Sequence, residues 1–401
     1  MGQPIKKSIQ EAHPEVNIHP FITLLVDGTN LLRISMADPK RNTSSVHIGG
    51  IFQFLLQLKM LLKKYPIDYV YVFFDDEFSG ELRFRIYSQY KANRDKKYAE
   101  HVGISDYMKK YNDTLKNMQK YIFEKKPAKD EEGEPIKQRE KSDYDKFIEE
   151  NFARERDTLC KYFSELFIRW MIDEETEGDD LISYYVHNKK DEERIVIVSS
   201  DQDLTQLISE TVCIYDPRQK KIVSHKNFKE LKGFPVENVV LKKIFLGDVS
   251  DNIGNISQLS EARLMELMPE IAERPVTIDE VKNRAQQKCD ERIAEKKKPL
   301  KWQENIVNGV SNKEYDGDFY EINDRLVNLS DPLITDKAKE ELDSMRYNVQ
   351  DPEDRTFENL YNYILEDDIT DLRDSKAFVS FFEPFKTLVN KEKDRYNKEI
   401  L

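Results

Sequence analysis

The chain is expected to fold as an α/β protein with a central, mostly parallel sheet flanked by helices, and three observations predict this. Short runs of β-branched and aromatic residues recur at 21–26, 69–74 and 195–198, each compact enough for a buried strand. Between the first two, Ile51, Phe54, Leu55, Leu58, Leu61 and Leu62 recur at helical spacing up to Pro66, so strand, helix and strand follow one another as a βαβ unit. Each run also stops abruptly in acid: Asp27, then Asp75 with Asp76, then Asp201 with Asp203. The carboxyl edge of an open parallel sheet is where ligands bind.

The stretch 177–203 organises this pattern. Glu177, Asp179 and Asp180 precede an apolar helical segment that leads into the third strand, and Asp201 and Asp203 follow that strand. Folding the helix back on the strand brings carboxylates into a small volume. There they repel one another and raise each other's pKa unless a cation neutralises them. A hard divalent ion such as Mg2+, which prefers oxygen ligands, suits such a cluster. One Asp after one strand is ordinary helix capping; three such strands together with Glu177 and Asp179 point to a metal centre. Asp180 belongs to the same acidic group, although it can equally serve the start of the helix.

The totals narrow the class. The chain has 401 residues, 39% hydrophobic and 35% charged, which suits two domains or one domain with large insertions. The net charge of -13 argues against a generally basic coat but leaves room for a local positive track. Cys160, Cys213 and Cys289 are far apart with no CxxC, so neither a zinc site nor a disulfide framework is expected, and a reducing cytoplasm fits. No apolar run approaches the roughly 20 residues of a membrane span. His13, His19, His47, His101, His187 and His225 fall in no clustered spacing and are assigned no chemistry.

In chain order, residues 1–20 read as a flexible lead-in. After the second strand, Arg83, Tyr87 and Lys91 recur every four residues, which predicts a shared helix face with Arg94 one turn further. Basic residues interleaved with aromatics there suit phosphate contacts and base stacking. Residues 98–124 read as helical, 125–141 as a charged break, and 143–170 as an aromatic-rich helix ending at Trp170, Met171 and Ile172. Two short strands are expected at 212–215 and 221–223, around the turn signature Asp216-Pro217-Arg218. An amphipathic helix over 236–246 stops at Gly247 and runs into Asp248-Val249-Ser250-Asp251-Asn252-Ile253. Beyond residue 256 the pattern is helical and strongly charged.

Taken together, V-D-G-T-N (26–30), F-D-D (74–76), Y-K-A-N-R (90–94), E-G-D-D (177–180), S-S-D-Q-D-L (199–204) and G-D-V-S-D-N-I (247–253) resemble, in order and spacing over residues 21–255, the 5′-nuclease superfamily of flap endonucleases and polymerase I 5′-nuclease domains. The pieces S-G-x-x-R, Y-K-x-N-R and S-S-D-x-D-x-T-Q-L are most similar to its branch of T-even bacteriophage RNase H, 5′ to 3′ exonucleases. The resemblance implies an α/β nuclease domain over 21–232 of the PIN/5′-nuclease type, with an inserted helical arch at about 92–150. A helix-three-turn-helix and a helical DNA-binding region would follow over 233–401.

It further implies two Mg2+ ions, replaceable by Mn2+. Asp27, Asp75, Asp179 and Asp201, with Glu177 nearby and Asp180 in the same group, would serve the first ion. Asp203, Asp248 and Asp251 would approach the second. Aligning the Ser79-Gly80 pair selects Asp75, whereas counting back from Tyr90-Lys91 selects Asp76; Asp75 is preferred. Arg83 and Lys91 would neutralise the scissile phosphate, and Tyr87, Arg94, Lys242 and Lys243 would contact nucleic acid.

The expected activity is 5′ to 3′ exonuclease and 5′-flap cleavage on duplex DNA with free 5′ ends, flaps or RNA primers, in replication or repair. Such a protein would act in the cytoplasm, or the host cytoplasm for a phage, as a monomer away from membranes, with a sliding clamp or single-strand-binding protein as a plausible partner. Two alternatives are a PIN-like single-strand ribonuclease and a non-catalytic junction-binding protein of the same fold. The glycine-rich hairpin of many members after D-N-I is missing here, where the chain reads Gly254-Asn255-Ile256-Ser257-Gln258-Leu259.

Overall fold

The computed structural model describes residues 20–36, 49–76, 78–92, 143–350 and 355–400, with side chains described from 151 and up to 398 in the helices that begin at 143 and end at 400. The expected lead-in over 1–19, most of the expected arch and Arg94 lie outside the described residues. Two compact units emerge. Of the described residues, those within 20–79, 143–228 and 332–400 form one, and those within 80–92 and 229–331 the other.

The first unit is built on a six-stranded sheet: β1 (Phe21–Asp27), β2 (Tyr69–Asp75), β3 (Arg169–Asp173), β4 (Glu193–Val198), β5 (Val212–Asp216) and β6 (Lys221–Val223). The spatial order is β3-β2-β1-β4-β5-β6. Pairing is parallel throughout except between β5 and β6. Leu24, Leu25, Val26, Val70, Val72, Phe73 and Ile197 are all fully buried, the signature of a parallel sheet covered on both faces. Succession runs outward from β1 through β2 to β3, then returns to β4 on the other side of β1. The β1–β4 junction is therefore the topological switch point.

Helices Gly28–Met36, Gly49–Lys64, Asp143–Glu165 and Gly178–His187 supply the crossovers and cover the sheet. Helix Gly49–Lys64 starts against Glu155, whose carboxylate accepts from the Ile51 amide at 3.0 Å. A Cβ on Gly50 would lie 2.2 Å from that carboxylate.

Two expectations are corrected here. The helix expected over 143–170 ends at Glu165, Phe167 takes a positive φ of 55°, and residues 169–173 form strand β3 instead. No glycine or proline marks this change, and a five-residue edge strand gains its stability from pairing with β2 rather than from local propensity. The second concerns the expected DNA-binding region over 233–401, since residues 332–401 group with the sheet. In their helices Phe357–Glu366, Ser375–Phe382 and Lys386–Ile400, Leu360, Ile364, Phe378, Phe382 and Leu388, with Phe385 from the 3-10 turn Glu383–Phe385 between the last two, join the core that contains Phe54, Leu58 and Phe163. The Phe381 ring lies 5.3 Å from that of Phe52. The return is fixed by an almost fully buried ion pair, Arg169 to Glu392 at 2.7 Å.

The second unit is helical: Glu81–Ile86, Asn238–Leu246, Glu261–Leu267, Ile278–Ala294, Lys301–Asn308 and Phe319–Val327. Helices Asn238–Leu246 and Glu261–Leu267 flank the turn at 247–253, where a helix-three-turn-helix was expected. The turn opens at Gly247 (φ 67°), where a Cβ would lie 2.6 Å from the Ile253 carbonyl oxygen, and closes with the antiparallel bridge between Asp248 and Ile253. Asn323 donates to the carbonyls of Ile244 and Gly254, 2.9 Å each, and ties the turn to the last helix of the unit. Among the described residues no helix is long and apolar enough to cross a membrane.

Candidate metal centre

The acidic residues at the carboxyl edge of the sheet are placed by their neighbours in sequence. Asp27 ends β1, and both its oxygens are used: Oδ1 accepts from the Asn30 amide at 2.9 Å and Oδ2 from the Ser199 hydroxyl at 2.7 Å. Gly28 is required because a Cβ there would lie 2.7 Å from the Phe74 ring. Asp75 ends β2; its amide donates to Thr29 Oγ1 at 2.8 Å, and its Oδ1 accepts from the Gly178 amide at 2.7 Å. That bond places a carboxylate at the N-terminus of helix Gly178–His187, where the helix dipole favours negative charge. Gly178 permits the approach, since a Cβ would sit 3.2 Å from Asp75 Oδ1.

Asp179 lies in the first turn of that helix, and Glu177 is its buried cap residue, with no capping bond from its side chain. Asp201 follows β4; its amide donates to Ser199 Oγ at 2.9 Å and its Oδ1 accepts from the Asp203 amide at 2.8 Å. The structure brings Asp27, Asp75, Asp179 and Asp201 into one electrostatic group. Burial raises the Asp27 carboxyl to about 7, reinforced by the charge of Asp75 and, more weakly, Asp201, against hydrogen bonds from Asn30 and Ser199. Burial also drives Asp179 well above the usual carboxylate range, with Asp201, Asp27, Asp75 and Asp203 adding to it. The charged groups acting most strongly on both are other carboxylates.

Other predicted carboxylates are engaged elsewhere. Asp76 faces Arg156 at 3.6 Å, so of the adjacent pair it is Asp75 that joins the group. Asp180 is fully buried and accepts from the Leu333 amide at 2.8 Å, which anchors the start of the returning C-terminal segment. Asp173 ends β3 next to Asp75 and caps the following turn through the amides of Glu175 and Thr176 at 3.1 and 2.7 Å.

In the second unit the expected basic helix is shorter than its spacing suggested. It ends at Ile86, Tyr87 is extended (φ -139°, ψ 103°), and Lys91 has a positive φ of 52°, so Arg83, Tyr87 and Lys91 share no helix face. The physical reason lies in the contacts that pull the chain out of the helix. Tyr87 is buried and stacks on Tyr315 at 4.8 Å, and the Lys91 amide donates to the Asp251 carbonyl at 2.9 Å. Arg83 is also buried, its Nε donating to the Leu326 carbonyl at 2.9 Å.

Lys242 pairs with Glu261 and lies over the Phe234 ring at 3.9 Å. Lys243 pairs with Asp248 at 2.8 Å. Asp248 also accepts from the Ser250 amide and hydroxyl at 2.8 and 2.6 Å. Partial burial works against its charge, but Lys243 and Ser250 prevail and hold it down to about 2. The Tyr90 hydroxyl reaches Asp251 Oδ2 at 3.3 Å.

An all-carboxylate donor set, in which burial and neighbouring carboxylates raise Asp27 and Asp179, fits a hard divalent cation. Asp27, Asp75, Asp179 and Asp201 are the residues that would hold one. Sequence reasoning missed the groups that orient them: Thr29, Asn30, Gly178, Ser199 and Ser200. All lie inside the quoted motifs V-D-G-T-N, E-G-D-D and S-S-D-Q-D-L, where non-acidic positions beside ligand positions were the available signal.

Comparison with known proteins bears on the family and the fold. Residues 22–233 match the family model described as 5′-3′ exonuclease, N-terminal resolvase-like domain. A 5′-3′ exonuclease of Mycoplasmopsis pulmonis (strain UAB CTIP) is 37% identical over 86 residues, 21% of this chain and 29% of that protein. DNA polymerase I of Rhizobium leguminosarum is 32% identical over 120 residues, 27% of this chain and 12% of that protein. The chain thus spans under a third of either curated relative. Among solved structures, a flap endonuclease of bacteriophage T5, in a pseudo-enzyme–product complex with DNA and metal ions, shares the fold. Its TM-score is 0.52 at 16% identity, covering 86% of this chain and 99% of that one. With more than half its length matched by the family model, the chain belongs to the 5′-3′ exonuclease family through its N-terminal resolvase-like domain.

Proposed function

We propose that the protein is a divalent-metal-dependent nuclease with 5′ to 3′ exonuclease and 5′-flap endonuclease activity on duplex DNA and on RNA primers. The observation that carries this is buried Asp27 with half-buried Asp75, Asp179 and Asp201 at the switch point of the sheet, where the charges acting most strongly on Asp27 and Asp179 are other carboxylates. The T5 relative's complex with DNA and metal ions supports the reading.

Mg2+ bound by these residues would supply an activated water and charge stabilisation at the leaving 3′ oxygen. The chain's own part is to bind and orient. Gly178 N–H and Thr29 Oγ1 fix Asp75 from two sides. Asn30 N–H and the Ser199 hydroxyl fix Asp27. Lys91 would meet phosphates, a contact that positions a substrate without reading its sequence. The turn over 247–253, with Lys242 and Lys243 before it, would hold duplex. Substrate choice would then rest on structure: a free 5′ end, a flap, or a primer terminus.

The test is cleavage of 5′-labelled flap DNA, an RNA–DNA duplex and unstructured RNA, with Mg2+ and with chelator. Metal-dependent release of 5′ products from the first two is expected. Cleavage of unstructured RNA alone would favour a single-strand ribonuclease, and no cleavage with intact DNA binding would favour a non-catalytic junction binder.

A further inference from the structure

We propose that Asn30 and Ser199 are positioning residues that fix the separation of Asp27 and Asp201 and so make the centre favour a small divalent cation over a large one. The proposal rests on the metal-dependent reading above.

The geometry begins at the switch point. Ladder pairing of β1 with β4 reaches its last registered pair at Val26 and Val198. Immediately beyond, the chain after β1 enters helix Gly28–Met36, while the chain after β4 turns through residues 199–202 into the short 3-10 helix Asp203–Leu207. Two carboxylate-bearing segments therefore diverge at the place where their charges meet. Left to themselves, like-charged groups in a low-dielectric pocket would move apart.

Side chains take over where the ladder ends. The Ser199 hydroxyl donates to Asp27 Oδ2 at 2.7 Å and accepts from the Asp201 amide at 2.9 Å. One fully buried oxygen thus links the carboxylate of the first segment to the backbone of the second. Asn30 makes the reciprocal link: its Oδ1 accepts from both the Ser200 amide at 3.1 Å and the Ser200 hydroxyl at 3.0 Å. Its own amide is meanwhile bound to Asp27 Oδ1 at 2.9 Å. Each segment carries one acidic residue and one stitching side chain aimed at the other. Because the Ser199 proton is committed to Asp27, the hydroxyl cannot turn to follow an incoming ion.

A stitched pair resists widening. Mg2+ demands ligand distances of about 2.0–2.1 Å in near-ideal octahedral geometry, whereas Ca2+ accepts about 2.3–2.6 Å and flexible arrangements. Groups behind metal ligands typically account for about 10–100-fold in metal affinity. Removing a stitch should loosen the spacing, which penalises the ion with strict geometry and spares the tolerant one. A merely structural role for these residues would lower stability without changing the ratio of the two affinities.

The experiment is calorimetric titration of the full chain with Mg2+ and, separately, Ca2+, in the absence of nucleic acid, with circular dichroism on every variant. Ser199→Ala should lower Mg2+ affinity about tenfold or more while changing Ca2+ affinity less than about threefold. Asn30→Ala should act in the same direction, and Ser200→Ala less, because the Ser200 amide still reaches Asn30. Equal losses for both ions, or no loss for either, overturns the proposal. If Ser199→Ala fails to fold, the half-buried Asn30 decides, through the same ratio. A wild-type chain that binds neither ion sinks the metal-dependent reading itself; a wild type that binds both, with variants of unchanged ratio, sinks only this inference.

Discussion

Two acidic regions of this molecule look alike in sequence and are opposite in physics. At the sheet edge, Asp27 is raised to about 7 by burial and by neighbouring carboxylates. In the turn of the helical unit, Asp248 is held down to about 2, because Lys243 and Ser250 outweigh the effect of its partial burial. Among the described residues, Asp248 has Lys243 beside it, whereas the charges acting most strongly on Asp27 and Asp179 are other carboxylates. A carboxylate already paired with a lysine and bonded to a hydroxyl and an amide is organising its turn. Carboxylates crowded against each other raise one another instead. The contrast separates acids crowded by other acids from one already paired with a lysine more sharply than their shared residue type can.

The largest expected effect breaks the sheet-edge group itself. Asp179→Ala or Asp201→Ala should reduce cleavage of a 5′-flap substrate by at least about 10³-fold, on the order of 4 kcal/mol of transition-state stabilisation, while DNA binding measured by anisotropy persists. Asp248→Asn should leave far more activity; an equal collapse would erase the distinction drawn here.

The next contrast pits a fully buried ion pair against a partly buried one. Glu392→Ala leaves Arg169 buried without its partner and should destabilise the chain by about 3–5 kcal/mol in urea denaturation. Lys243→Ala, at the edge of its turn, should cost about 1 kcal/mol. A small effect at Glu392 would argue that residues 332–401 are a loosely attached segment rather than part of the sheet unit.

The pH dependence should then take opposite signs in the two regions. Asp27 has a folded-state pKa above its ordinary value of 3.8, so it favours folding most when protonated. That contribution is present below 3.8 and lost as pH rises to about 7, up to about 4 kcal/mol for this group alone. Thermal melts in chelator should show stability falling over this window, and saturating Mg2+ should remove the fall. Asp248 behaves conversely: its contribution is present above 3.8 and disappears as pH drops toward about 2. Melts in chelator that stay flat between pH 4 and 7 would contradict the buried state of Asp27.

The smallest expected effect tests Asp180. Asp180→Asn should cost about 1–3 kcal/mol through the bond to the Leu333 amide, yet keep metal-dependent cleavage within about threefold of wild type. Loss of metal binding in that variant would return Asp180 to the ligand group.

Much of the fold and half of the centre were legible in the chain. β1, β2 and β4 declared themselves because a strand buried on both faces must be apolar along its length, and each ends in an acid that nothing in a strand interior would tolerate. The edge strand β3 was not legible, because its residues Arg169, Trp170, Met171, Ile172 and Asp173 carry no local strand signal and pair only once β2 is in place. Nor was the early end of the helix at Ile86, set by the burial of Tyr87 against Tyr315 and by the Asp251 carbonyl, more than 150 residues away in the chain. The groups behind the ligands were hidden for a similar reason. Asn30 and Ser199 matter through bonds across β1 and β4, and polarity alone does not reveal a partner.

By itself, then, the sequence determined the parallel sheet, the places where acids interrupt its strands, and the turn opened by Gly247, all consequences of local pattern and backbone sterics. Tertiary structure alone decided what each acid meets. Asp75 rather than Asp76 lies by Gly178, Asp180 turns to Leu333, Asp248 pairs with Lys243, and residues 332–401 close over the sheet through Arg169 and Glu392. Those outcomes depend on which groups meet across the fold and on how far water is excluded where they meet, and neither quantity is written in the order of residues.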